Sequence, residues 1–127
     1  MAVPILKQRD YLIATVQDPL SDDEFAVLRR TLVEQVGVFR SRGVIVDVTA
    51  LDVLDSFSVR TLTELGQMAR LRGAATVIVG IQPEVALAMI RLGLTLGDIA
   101  TALDLEEGLA WLDRKMNGIG SRDHERS

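Results

Sequence analysis

Residues 44–80 read VIVDVTALDVLDSFSVRTLTELGQMARLRGAATVIVG, and the fold is decided there. The segment opens on Val44-Ile45-Val46-Asp47-Val48, an almost unbroken β-branched run, and closes on Thr76-Val77-Ile78-Val79 before Gly80. Runs that are apolar at successive rather than alternate positions belong to strands covered on both faces. Between them the chain bends over Thr49 to Asp55, and a helix is expected from about Phe57 to Arg72, ended by Gly73. Val59, Leu62, Leu65 or Gly66, and Ala69 recur at helical spacing and give it one inward face. Strand, helix, strand is a βαβ crossover, with parallel strands and a right-handed connection.

Working outward on the amino side, Ile5 to Gln8 and Tyr11 to Val16 read as two short strands joined tightly at Arg9-Asp10. Asp18-Pro19 breaks the chain, and Ser21-Asp22-Asp23-Glu24 is a capping box with acids in the first turn. The helix it starts carries Phe25, Leu28, Leu32, Val36 and Phe39 on one stripe; Arg40 and Arg42 suit its negative end and Gly43 stops it. On the carboxyl side, Pro83 suits the first turn of a third helix bearing Val85, Met89 and Leu92 and ending at Gly93. Ile99 to Leu103 reads as a short edge strand. Asp104 then caps a last helix with Leu105, Leu109, Leu112 and Met116 inward. The expected architecture is α/β: a mixed, mostly parallel sheet of four to five strands with four helices. It forms one domain over residues 1–117, followed by a polar, disordered tail at 118–127.

Composition narrows the function. The chain has 127 residues, a common size for one core, and 48% are hydrophobic but only 4% aromatic, which leaves few rings for stacking bases or flat cofactors. With 18 acidic and 14 basic residues the net charge is -4. A phosphate-backbone binder needs a cationic surplus, so nucleic acid is not an expected partner. No apolar run is long enough for a membrane span and no secretory leader is evident, so cytoplasmic residence is expected. Zero cysteines remove disulfides, thiol nucleophiles and thiolate metal sites.

Catalytic sets are missing as well. The one histidine, His124, lies in the tail, so neither a Ser-His-Asp arrangement nor a histidine metal site is expected. The ten glycines form no G-x-G-x-x-G motif, and no Gly-Lys-Ser/Thr closes a phosphate loop. Asp47, Asp52 and Asp55 could imitate a two-component receiver. Such a site also needs an acidic pair after the first strand and a late lysine, yet no lysine lies between Lys7 and Lys115. A metal site on these three carboxylates lacks the convergent oxygens that hard cations require.

Polar groups therefore concentrate at the carboxyl end of the 44–48 strand, where parallel sheets place their functional residues. Read locally, Asp55 or Ser56 is an N-cap. Read functionally, Ser56 is a phosphoacceptor: phosphate adds about two negative charges and three acceptor oxygens where the helix end tolerates them. A different class of function, a small-anion or nucleotide-binding module, would use the same helix N-terminus. Met68 and Met89 read as core or gap-filling residues, Trp111 as partly buried packing, and Arg29-Arg30 and Arg70/Arg72 as solvated helix faces. The apolar surplus over Ile90 to Leu96 suggests a subunit contact that Leu94→Asp would weaken.

The order of elements, with Asp55-Ser56 following a Val-Ile-Val-Asp-Val strand, resembles the STAS domain of anti-sigma-factor antagonists. Within that family it is similar to the RsbS-type stressosome scaffolds. Three features carry this: Asp55-Ser56-Phe57 in place of the usual Asp-Ser-Ser-Gly; Gly80-Ile81-Gln82-Pro83-Glu84-Val85-Ala86 followed by Leu92-Gly93-Leu94; and Thr101-Ala102-Leu103-Asp104-Leu105-Glu106. The resemblance spans roughly residues 3 to 116. It implies a non-catalytic scaffold without cofactor or metal. Ser56 would be phosphorylated by an RsbT-type serine kinase, with Ser58 the rival position because Phe57 and Ser58 replace the family's second serine and its glycine. Asp52, Asp55, Phe57 and Ser58 would form the kinase-docking surface. The implied partners are an RsbR-type STAS co-antagonist in homo- and hetero-oligomers, that kinase and a PP2C-like phosphatase.

Overall fold

The computed structural model describes residues 3–126, with side chains described over 3–117. The tail expected at 118–127 therefore lies outside the described side chains. Strands β1 (Ile5–Gln8) and β2 (Tyr11–Thr15) form an antiparallel hairpin. Its turn places Arg9 at φ 54°, a left-handed conformation that side-chain-bearing residues seldom adopt. Helix α1 (Asp22–Phe39) leads to β3 (Gly43–Asp47), α2 (Ser56–Leu71) to β4 (Ala75–Val79), and α3 (Pro83–Arg91) to β5 (Ala100–Ala102). Helix α4 (Leu105–Arg126) completes the order. The strands lie in the sheet in chain order, and every pair after the first is parallel, as the crossover pattern requires.

Both faces of the central strands are covered, which is why their sequences do not alternate. Leu12, Ala14, Val44, Val46 and Ile78 face α1, α2 and α3, meeting Leu28, Leu32, Leu62, Leu65 and Met89. The intervening Ile13, Ile45, Val77 and Val79 face α4 and its buried Leu112. The α1 capping box forms as its residue types demand: Ser21 Oγ accepts from Glu24 N at 3.1 Å, and Glu24 Oε1 accepts from Ser21 N at 2.9 Å. Asp104 caps α4, accepting from Glu107 N at 2.9 Å. Arg29 is not simply solvated; its Nη1 lies 2.7 Å from Glu64 Oε1 and ties α1 to α2.

Three further details differ from the sequence expectation. Gly43 does not stop α1. Arg40 does, at φ 52° with its N–H donating to Val36 O, while Gly43 opens β3. Glycine is needed there because a Cβ would come within 2.9 Å of both Leu112 and the Tyr11 ring. Phe39 and Leu92 sit at the ends of their helices beyond the reach of the sheet and are exposed, not inward. Met68 lies on the outer face of α2 and is exposed, whereas Met89 is core. Trp111 is half-buried, as its position beside the inward stripe of α4 predicts, with Lys115 Nζ 5.0 Å from its ring centre.

Candidate functional site

The segment between β3 and α2 is held by its own side chains. Asp47, at the end of β3, accepts from Thr49 N at 2.9 Å and from Thr49 Oγ1 at 2.6 Å, which turns the chain out of the sheet. Leu51 and Leu54 are buried and pin the loop to the core, leaving Asp52 and Val53 between them in solvent. Gln82 Nε2 donates to Thr49 O at 2.7 Å and ties this loop to the start of α3. Gly80 closes β4 at φ 81° with Thr49 packed against its Cα, a place where a Cβ would meet the Thr49 backbone at 3.1 Å. The loop thus has little freedom, and it delivers Asp55 to the first turn of α2.

Asp55 is the N-cap, which settles the local alternative between it and Ser56. Its Oδ1 accepts from Ser58 N at 2.8 Å and from Ser58 Oγ at 2.8 Å. The helix starts at Ser56, one residue earlier than its apolar pattern indicates, because the cap and not the first apolar residue defines the end. Ser56 is exposed at the first helical position. Ser58 is 5% exposed, and its hydroxyl is committed to Asp55. Phe57 is half-buried, with the Arg60 guanidinium 5.6 Å from its ring centre. Ser56, Asp55 and Asp52 are therefore the accessible polar members of the predicted surface, Phe57 contributes an edge, and Ser58 contributes structure from beneath.

Arg60 carries no signal in a motif search, but spacing reveals it. Residues four apart share a helix face, so Arg60 stands one turn above Ser56. The Asp55–Ser58 pair was equally open to reading, since an acid three residues before a serine is the spacing of an N-cap and its N3 partner.

The Ser58 backbone N–H, and then its hydroxyl, hold the Asp55 carboxyl below the usual carboxylate range, against the opposing effect of partial burial. A carboxyl whose folded pKa is depressed stabilises the fold above its unfolded value and loses that contribution as pH falls through the folded one. Asp55→Ala is expected to cost about 1 kcal/mol near neutrality. Chemical denaturation should show the gap to the unaltered chain narrowing as pH falls from about 5 through the range below the usual carboxylate value. A gap of constant size would contradict the capping role.

The same geometry bears on the competing readings. Asp47 turns to Thr49 and Asp55 to Ser58, so the three aspartates do not converge. Among the described residues no group of three or more His, Asp or Glu side chains is placed to hold a metal ion. An anion at the α2 N-terminus would meet an ionised Asp55 that already occupies the Ser58 N–H, which disfavours a free-ligand site. No helix among the described residues is long and apolar enough to cross a membrane.

The STAS domain family model matches residues 2–107. The RsbT co-antagonist protein RsbRA of Bacillus subtilis (strain 168) is 30% identical over 97 residues, 73% of this chain, and the match spans 35% of that relative's length. Among solved structures, a serine-to-glutamate variant of RsbS from Moorella thermoacetica superposes with a TM-score of 0.79 at 35% identity, covering 91% of this chain and 97% of that one. A chain from a structure describing the molecular architecture of the stressosome, a signal integration and transduction hub, gives 0.75 at 35% identity, covering 89% and 98%.

Proposed function

The chain belongs to the STAS-domain family, and on that premise we propose that it is a non-catalytic scaffold whose kinase-holding surface is switched by phosphorylation of Ser56. It assembles with RsbR-type STAS relatives into a stressosome-type complex and holds an RsbT-type serine kinase until Ser56 is modified; a PP2C-like phosphatase resets it. The supporting observation is the contrast between two nearby hydroxyls. Ser56 stands in solvent at the helix start, while Ser58 lies buried and bonded to Asp55.

The chemistry suits a switch. Phosphate at the first position of α2 meets the positive end of the helix dipole, so the fold tolerates it. Arg60, four residues on, can turn from the Phe57 ring to the new charge. Asp52 and Asp55 flank the same spot and make the modified surface strongly anionic, so a partner matched to the unmodified surface loses affinity. Nothing in this cycle needs a nucleophile or base from the chain itself, since the kinase supplies the phosphoryl group.

Co-expression with an RsbR-type relative and an RsbT-type kinase tests the scaffold reading. The expected result is one high-mass complex that retains the kinase through size exclusion. Elution of the chain alone, apart from both, would contradict it.

A further inference from the structure

Two groups of exposed apolar side chains stand beside charged residues that differ in kind. One cluster is a ridge at the amino ends of the parallel strands, where α1 and α2 finish. Leu71 is 88% exposed and Val38 76%, and the adjoining Phe39 has Lys7 Nζ 5.8 Å from its ring centre. Arg72 lies against α1 at Gly37, filling the space a Cβ there would need. Lys7, Arg40, Arg42 and Arg72 are all exposed, and none is in an ion pair among the described residues.

The other cluster lines a groove of about 540 Å³ between α3 and the edge strand β5. Ile90, Leu94 and Leu103 wall it, Met89 lies at its base, and Glu107 is its single charged lining residue. Ile90 is 73% and Leu103 81% exposed, and Asp104 and Glu106 stand in solvent beside Leu103 in the chain. The one cation on α3, Arg91, follows Ile90 and stands at the end of the groove away from Glu107. Scattered exposed apolar residues are ordinary on a protein surface. An apolar ridge beside exposed cations, and an apolar groove whose one charged lining residue is an acid, form a complementary pair on the same chain.

We infer that the groove receives the Leu71-Arg72 ridge of a second copy of this chain, head to tail, with Arg72 facing Glu107. Such a contact is heterologous: each copy keeps a free ridge at one end and a free groove at the other, so the arrangement grows until its rotation closes it. Leu94 is half-buried at the groove wall, so the apolar surplus over Ile90 to Leu96 serves the groove, with Ile90 the more exposed side chain. Ser56 belongs to neither patch and stays free for the kinase. The inference rests on the scaffold reading and adds its mode of self-contact.

Sedimentation velocity of the full chain over a range of concentrations tests it, with thermal melts showing that the exposed substitutions leave the fold intact. The unaltered chain should form species larger than a monomer. Arg72→Glu and Glu107→Arg should each weaken association by about tenfold or more, and the double variant should recover most of the loss. Association unchanged in both single variants, or unrecovered in the double, would overturn the contact while leaving the scaffold reading intact. A chain that stays monomeric yet enters a complex with an RsbR-type relative would overturn the second copy as occupant. Failure to enter either complex would remove the scaffold reading as well. Arg72-dependent flotation with phosphatidylserine vesicles, with self-association untouched, would assign the ridge to a lipid surface and overturn the inference.

Discussion

Ser56→Asp is expected to weaken capture of the serine kinase by roughly a hundredfold, a differential binding energy of about 3 kcal/mol. Ser56→Ala is expected to capture it as the unaltered chain does. The asymmetry follows from where the residue sits. An acidic side chain at the first position of α2 is favourable to the helix by about 0.3–1 kcal/mol, so the substitution acts on the surface and leaves the fold in place. That surface already carries Asp52 and Asp55 in solvent, and Asp55 is held ionised by Ser58. A third negative charge therefore changes what a partner meets far more than it would on a neutral patch. Titration of labelled kinase against the two variants, with melting curves as the control, reads the difference. Equal binding by both would refute the switch.

Leu112→Ala carries the largest expected effect on stability. Leu112 has no exposed surface, and it packs with Tyr11, Ile13, Ile45, Val77 and Val79 in the layer between α4 and the sheet. Truncation removes apolar contact and leaves a cavity beside Gly43, where the two Leu112 methyl carbons fill the space a Cβ would need. A loss of about 3 kcal/mol is expected, with Tm falling by on the order of 10 °C. A polar contact would still hold the helix: Tyr11 Oη donates to Asp113 Oδ1 at 2.6 Å. Burial, followed by this bond to a carboxylate, pushes the Tyr11 phenol up to about 12, so the donor keeps its proton across the physiological range. A cost below about 1 kcal/mol would mean that the sheet is anchored to α4 elsewhere.

Strand pairing, helix order and the two-sided covering of the sheet were legible because successive apolar residues and capping residues encode them directly. Ser21 and Glu24 predicted a reciprocal cap and form one. The failures share a cause. An apolar stripe at helical spacing defines a face but not its edges or its length, so Phe39, Leu92 and Met68 read as inward although they sit at helix ends or on the outer side. Gly43 read as a helix stop because glycine commonly ends helices; its actual requirement, clearance for Leu112 and Tyr11, depends on residues 69 and 32 positions away in the chain. The positive φ of Arg40 had no local signal, since arginine has no preference for it.

At the site, the sequence places Asp55 and Ser56 at a helix start, and the family resemblance puts Ser56 ahead of Ser58. What the sequence does not carry is the difference in exposure between the two hydroxyls, which depends on the packing of the first turn of α2 and on the Ser58–Asp55 bond. Arg60 gives no signal for a related reason: a lone arginine on a helix reads as solvated until the residue one turn below it acquires a role.

The account turns on which hydroxyl takes the phosphate. Incubating the full chain with its serine kinase and magnesium ATP, then mapping the phosphopeptides, addresses it most directly. A single phosphate on Ser56, lost in Ser56→Ala and retained in Ser58→Ala, is the expected result. Phosphate confined to Ser58, or undiminished incorporation in Ser56→Ala, would contradict it.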